Sequence, residues 1–160
     1  MTPREIKYIV IHCSATKASQ NIDIRDIDRW HRGKGWEGVG YHYVITRDGR
    51  VQGGRSLNEP GAHTKGHNYQ SWGVCLVGGL DLDGKPENNF TQEQFAALRQ
   101  LLVSLHAMAP NAHILGHRDL SPDINGDGMI QRNEWLKDCP CFDVGEWLAM
   151  NQRSNDHDLT

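Results

Sequence analysis

The 160-residue sequence predicts an α/β fold of one domain, a mixed β-sheet flanked by helices. Three observations predict it. Apolar, β-branched runs of strand length alternate with helical periodicity in the order β, α, β, β, β, α, β, followed by short helices. The run Ile6 to His12 has the continuous apolar centre of a strand covered on both faces. From Thr91 onward, apolar residues recur at helical spacing behind a capping pair, as a helix packed on such a sheet would show. A chain of this length buries most of its apolar surface in one core without a disulfide framework.

Ile6 to His12 is the first strand, with His12 at its end, where side chains emerge from a rigid sheet. The small, polar SATKASQN segment reads as a loop. Asp23 caps a helix over residues 24–33, with Ile24, Ile27, Trp30 and His31 on one face and an Asp28–Arg32 pair four residues apart. Tyr41 to Asp48 alternates as a strand, Asp48-Gly49 makes a hairpin turn, and Val51 to Arg55 returns. Strict alternation would set His42 on the opposite side from Tyr41, in a structural role. Residues 56–71 lack periodicity and form a long loop of the kind that carries function. Trp72 to Gly79 is another apolar strand, and DLDGKPENN a turn-rich excursion. Thr91, with Gln94 as capping-box partner, opens a helix running to about Met108, stopped by Pro110. Ala112 to His117 is a short strand, and residues 131–137 and 143–150 are two short helices. Residues 151–160 are a polar tail.

Lys and Arg number 17 and Asp and Glu 20, a net charge of −3 that argues against a general nucleic-acid binder. No apolar run approaches a membrane span, and the charged N-terminus is not that of a signal peptide. The expected product stays in the cytoplasm where it is made, inserts in no membrane and is a monomer. In that reducing compartment Cys13, Cys75, Cys139 and Cys141 are expected as free thiols.

The stretch from His113 to Asp143 holds two metal-ligand patterns. His117 and Cys139 are soft donors and, with His12, form a candidate zinc trio that leaves a fourth position for water, although no pair has diagnostic spacing. Between them lies DINGDGMIQRNE. Counting Asp123 as position one puts Asn125 at three, Asp127 at five, Gly128 at six, Met129 (by its carbonyl) at seven, Ile130 at eight, Gln131 at nine and Glu134 at twelve. Those are the positions of an EF-hand calcium loop. It has neither an entering helix nor a second hand, so the expected role is a structural clip. Glu134 lies three and five residues before Lys137 and Cys139, and calcium there would fix the segment that carries them.

The phrases IVIHCSATK, GWEGVGYHYVITRDGRVQGGR, GAHTKGHN, GVCLVGG and KDCPCFD occur in order over nearly the whole chain. Together they resemble the zinc-dependent N-acetylmuramoyl-L-alanine amidases of phage endolysins and, more distantly, the peptidoglycan recognition proteins. The resemblance implies His12, His117 and Cys139 as zinc ligands, Tyr41 and Lys137 as catalytic side chains, and His63, with Lys65 and Asn68, at the substrate groove. It favours Cys139 over Cys141 as the thiolate. It also implies a connection between His117 and Cys139 much shorter than the 22 positions seen here (139 minus 117), so the calcium loop reads as an insert over residues 118–136 of a catalytic domain spanning 1–150.

The implied reaction cleaves the amide between N-acetylmuramic acid and L-alanine in peptidoglycan. The implied context is a phage endolysin held in the host cytoplasm until lysis, then acting on the wall. One rival is a peptidoglycan-binding module without catalysis, against which Cys139 argues. The other is a regulator that binds a phage RNA polymerase. The five residues before the first strand leave little N-terminal arm for that contact.

Overall fold

The computed structural model describes residues 5–120 and 139–150. Its strands are β1 (Tyr8–Cys13), β2 (Thr16–Lys17), β3 (Tyr43–Ile45), β4 (Val51–Gly53), β5 (Ser71–Leu76), β6 (Gly79–Leu80) and β7 (His113–Gly116). Its helices are α1 (Ile24–Gly33), α2 (Gln92–Met108) and α3, residues 144–150. Single 3₁₀ turns cover Asn68–Gln70 and His117–Leu120.

Five strands form one sheet in the order β4-β3-β5-β1-β7, while β2 and β6 pair separately. β1 runs parallel to both its neighbours, with Ile11 opposite Val74 on one side and Gly116 on the other. That central place explains its unbroken apolar run, since a strand buried on both faces has no solvent side to make polar. β3 pairs with β5 in parallel and with β4 as an antiparallel hairpin, so the sheet is mixed.

Both long helices start where the sequence predicts. Asp23 and Thr91 each close a capping box, with Asp26 and Gln94 reaching back to the cap amide. Gln94 is fully buried and its amide also donates to the carbonyls of Ile45 and Val77 at 3.1 and 2.9 Å. The cap of α2 is thereby tied to the end of β3 and to the residue that follows β5. Leu98, Leu102 and Leu105 of α2 pack on Ile9, Ile11, Ile45, Val74 and Leu76, joined by Phe142 and Val144. A smaller cluster of Ile27, Val39, Val44, Cys75 and Val77 fills the other side beneath α1.

The strands are shorter than expected, and the SATKASQN loop contains β2. The hairpin shows why. Gly54 and Arg55 are successive residues, yet both amides donate to the same segment, at His42 and Tyr41 oxygens, 2.8 and 3.0 Å away. A regular antiparallel strand turns only alternate amides towards one neighbour, so the ladder breaks there and Tyr41 and His42 lie in a bend. Strict alternation fails with it. Tyr41 stands 5.1 Å from the ring of His12, and His42 stands 5.8 Å from that of His63, itself against His12. His42 does have the structural partners expected of it: Nδ1 accepts from the Gly73 amide at 3.0 Å, and Nε2 donates to the Glu59 carbonyl at 2.8 Å.

Candidate metal centre

His12 is the last inward-facing side chain of β1 on the α1 side of the sheet and is 1% exposed. His117 begins the turn after β7, the parallel neighbour of β1, so both imidazoles leave the same edge of adjacent strands. Their ring centres are 4.6 Å apart. Asp119 holds that turn by accepting from the Gly116 amide at 2.8 Å.

The chain returns to this spot at Cys139, whose carbonyl accepts from the Arg118 amide at 2.9 Å. Pro140 lies directly against Gly116, where a Cβ would stand 2.8 Å from the proline Cδ. Only a residue without a side chain lets the returning segment come this close. The Cys139 sulfur accepts from the Cys13 amide at 3.1 Å and lies 3.9 Å from His12 Nδ1. One donor atom each from His12, His117 and Cys139 falls within 4.8 Å of the others. Among the described residues this is the group of His, Cys, Asp and Glu side chains that could hold a metal ion.

The remaining cysteines stand outside this group. The Cys141 sulfur donates to the Gly79 carbonyl at 3.4 Å and lies 3.9 Å from that of Cys13. Hydrogen bonding to Cys139 and burial push the Cys13 thiol up to about 12, so it stays protonated. Burial likewise holds Cys75 well above the ordinary thiol range.

The trio lies in the wall of a cavity of about 940 Å³. Tyr41, His63, Lys65 and Asn68 line it too, so these sequence-predicted residues come together with the metal group. Burial, and then the neighbouring thiols of Cys75 and Cys139, hold the Tyr41 phenol well above its ordinary value of 10. It is therefore a neutral hydroxyl at physiological pH. His63 makes a closer contact than a groove position implies: its Nδ1 lies 2.9 Å from His12 Nε2. Lys137 and the calcium positions Asp123, Asn125, Asp127, Met129, Gln131 and Glu134 lie outside the described residues, as do the expected helix over 131–137 and the tail.

A second wall was not read as part of a site from the sequence. Trp30 and His31 of α1, with Lys34 and Trp36 just beyond it, line the same cavity. His31 Nδ1 accepts from the Gly40 amide at 2.7 Å and its ring lies 5.5 Å from Tyr41, so it holds the bend from which Tyr41 projects. Burial and the nearby Lys34 and Arg55 push His31 down to about 4, leaving it neutral near pH 7. The available signal was the placing of Trp30 and His31 together on one face of α1.

The family model described as N-acetylmuramoyl-L-alanine amidase matches residues 2–140. The chain belongs to that amidase family. It is 44% identical over 144 residues to the endolysin of Escherichia phage T7, covering 90% of this chain and 86% of that endolysin. Among solved structures, it resembles the amidase LysC from Clostridium intestinale URNW with a TM-score of 0.72 at 23% identity, over 95% of this chain and 91% of that one. Wild-type Drosophila PGRP-LB gives a TM-score of 0.64 at 23% identity, over 86% and 75% of the two chains. These two structures confirm the expected fold, and the phage relative places the amidase among the endolysins, which are peptidoglycan hydrolases. Residues 2–140 span His12, Tyr41, His63, His117 and Cys139, so the family match takes in the whole metal group.

Proposed function

We propose that this amidase hydrolyses the bond between the lactyl carbonyl of N-acetylmuramic acid and the amine of L-alanine with zinc held by His12, His117 and Cys139. The convergence of the three donors in the cavity wall carries this reading. Two imidazole nitrogens and one thiolate are a zinc donor set, and tetrahedral ligands stand about 3.3–3.8 Å apart, close to the 3.9 Å between His12 Nδ1 and Cys139 Sγ. Zinc in such a site supplies a Lewis acid for the amide carbonyl and a water acidified to about pKa 7.

The protein's own groups do the rest. Tyr41, with its phenol kept neutral, donates a hydrogen bond to the reacting carbonyl or to the departing amine; it is not the base. Lys137, assigned by resemblance, stabilises the oxyanion of the tetrahedral intermediate. Asn68 acts through its neighbours, because its Oδ1 accepts from the amides of His63 and Thr64, each at 2.9 Å. Lys65 offers a cation at the cavity for the carboxylates of a stem peptide.

The proposal includes a second metal. Residues 118–136 carry the EF-hand pattern from Asp123 to Glu134, and calcium bound there fixes the segment leading to Lys137 and Cys139. The catalytic domain is residues 1–150, acting as a monomer. No helix among the described residues is long and apolar enough to cross a membrane. The expected course is accumulation in the host cytoplasm and action on the wall at lysis.

Digestion of purified peptidoglycan tests the reaction: new alanine amino termini should appear without new reducing sugars, and reducing ends would refute it. Calcium added to protein stripped of calcium but retaining zinc should raise both activity and melting temperature. If neither moves, the calcium clip is wrong.

A further inference from the structure

We propose that His63 is a positioning residue for the metal centre, accepting the Nε2 proton of His12 and so aiming His12 Nδ1 at the metal. This rests on the reading that His12, His117 and Cys139 hold zinc. It departs from the groove role that resemblance suggests for His63.

One atom in this chain of contacts has a fixed role. The His67 carbonyl can only accept, so the Ser71 hydroxyl, 2.8 Å away, donates to it. Ser71 Oγ is then an acceptor for its other neighbour, His63 Nε2, at 3.2 Å. A His63 that carries its proton on Nε2 has a bare Nδ1, and that nitrogen lies 2.9 Å from His12 Nε2. Two lone pairs cannot face each other at that distance, so His12 is protonated on Nε2 and its Nδ1 is the lone-pair nitrogen, 3.9 Å from Cys139 Sγ. Thr64 Oγ1 lies 3.0 Å from His63 Nδ1, to which its hydroxyl donates, and 3.3 Å from His12 Nε2, whose proton it also accepts. A ligating histidine needs this: its other N–H, left unpaired in a buried site, would carry a desolvation cost, and an outer partner fixes both tautomer and ring angle.

The fold holds His63 for this task. Its ring packs edge-on to His12 at 4.9 Å and 88°. Its face lies on Gly73 of β5, where a Cβ would stand 2.6–2.8 Å from Cγ, Cδ2 and Nδ1. Any side chain at position 73 would evict the ring. Ser71, at the other end of the relay, is fully buried at the start of the same strand.

The test compares His63→Leu, His63→Asn and Ser71→Ala with the parent protein. The readouts are zinc affinity against a chromophoric chelator, the visible spectrum of the cobalt-loaded protein, and kcat and KM separately. The Asn amide oxygen stands where Nδ1 stands and can still accept. His63→Leu should weaken zinc binding by about 10–100-fold and alter the cobalt spectrum, and His63→Asn should recover most of the loss. Ser71→Ala, which leaves both histidines in place, should weaken zinc several-fold, and it decides the matter if His63→Leu fails to fold. Parent-like zinc affinity in both His63→Leu and Ser71→Ala overturns the proposal. A rise in KM alone would return His63 to the groove. A parent protein that binds no zinc would instead refute the metal reading itself.

Discussion

The sheet has two faces made from the same strands, and they are built on opposite terms. Towards α2, Ile9, Ile11, Val74 and Leu76 meet Leu98, Leu102 and Leu105 in an apolar layer closed by Phe142 and Val144. Towards α1, the neighbouring position of β1 is His12, and around it stand His63, Tyr41, His117 and Cys139. The two-residue period of a strand allows this division: Ile11 and His12 are adjacent in sequence and face opposite ways. Stability and chemistry are therefore drawn largely from opposite faces of one backbone, with Tyr41, packed against the smaller apolar cluster, as the point where they meet.

Breaking the chemical face should give the largest effect. Cys139→Ser should lower activity about a thousandfold or more, the scale of the several kcal/mol a catalytic metal supplies. The melting temperature of the metal-free protein should barely change; a large drop there would deny the separation.

The converse is Leu98→Ala. Emptying a fully buried leucine site on the α2 face should cost about 2–5 kcal/mol by denaturant titration, with kcat of the folded fraction unaltered. A smaller loss is expected from Gln94→Leu, about 1–2 kcal/mol, because it removes one hydrogen bond each from the Ile45 and Val77 carbonyls, which keep the Val77 amide and Arg47 as donors, and opens the α2 cap.

The smallest effect sharpens the boundary between the faces through pH. The folded protein holds His31 down at about 4, whereas unfolded it titrates near 6.5. The unfolded state therefore binds more protons between these values, and this contribution to stability is present above pH 6.5 and lost as pH falls towards 4. Denaturant titrations across that window should show the slope in the parent protein and a shallower one in His31→Gln.

What the sequence discloses follows the range of the interactions. The helix starts are local and were legible, α1 from Asp23 alone and α2 from the Thr91–Gln94 pair, while Asp26 as the box partner of Asp23 was not read. β1 was legible because its burial on two faces writes an unbroken apolar run. β2 and β6 were not, since two-residue strands exist only through each other. The overlong hairpin strands were misread because nothing in the alternation of Tyr41 to Ile45 announces that Gly54 and Arg55 both turn inward. At the site, residue types suggested His12, His117 and Cys139, but their convergence depends on β1 and β7 being neighbours. The contact between His12 and His63 joins residues 51 apart and has no local signature. His31 went without a role for the same reason, since its partner, the Gly40 amide, is fixed by a turn outside its helix.

The central place of β1 has a consequence for how the protein comes apart. Its amides are shared between two parallel ladders, to β5 and β7, whose residues lie about 60 and 100 positions downstream. β7 lies at the edge of the sheet, so β1 amides that face it can be released by local detachment of that strand, whereas those that face β5 should exchange with solvent only through global unfolding. His12 belongs to the protected β5 ladder. Because its strand partner is Cys75 of the interior strand β5, this imidazole keeps its backbone anchor when the β7 edge opens.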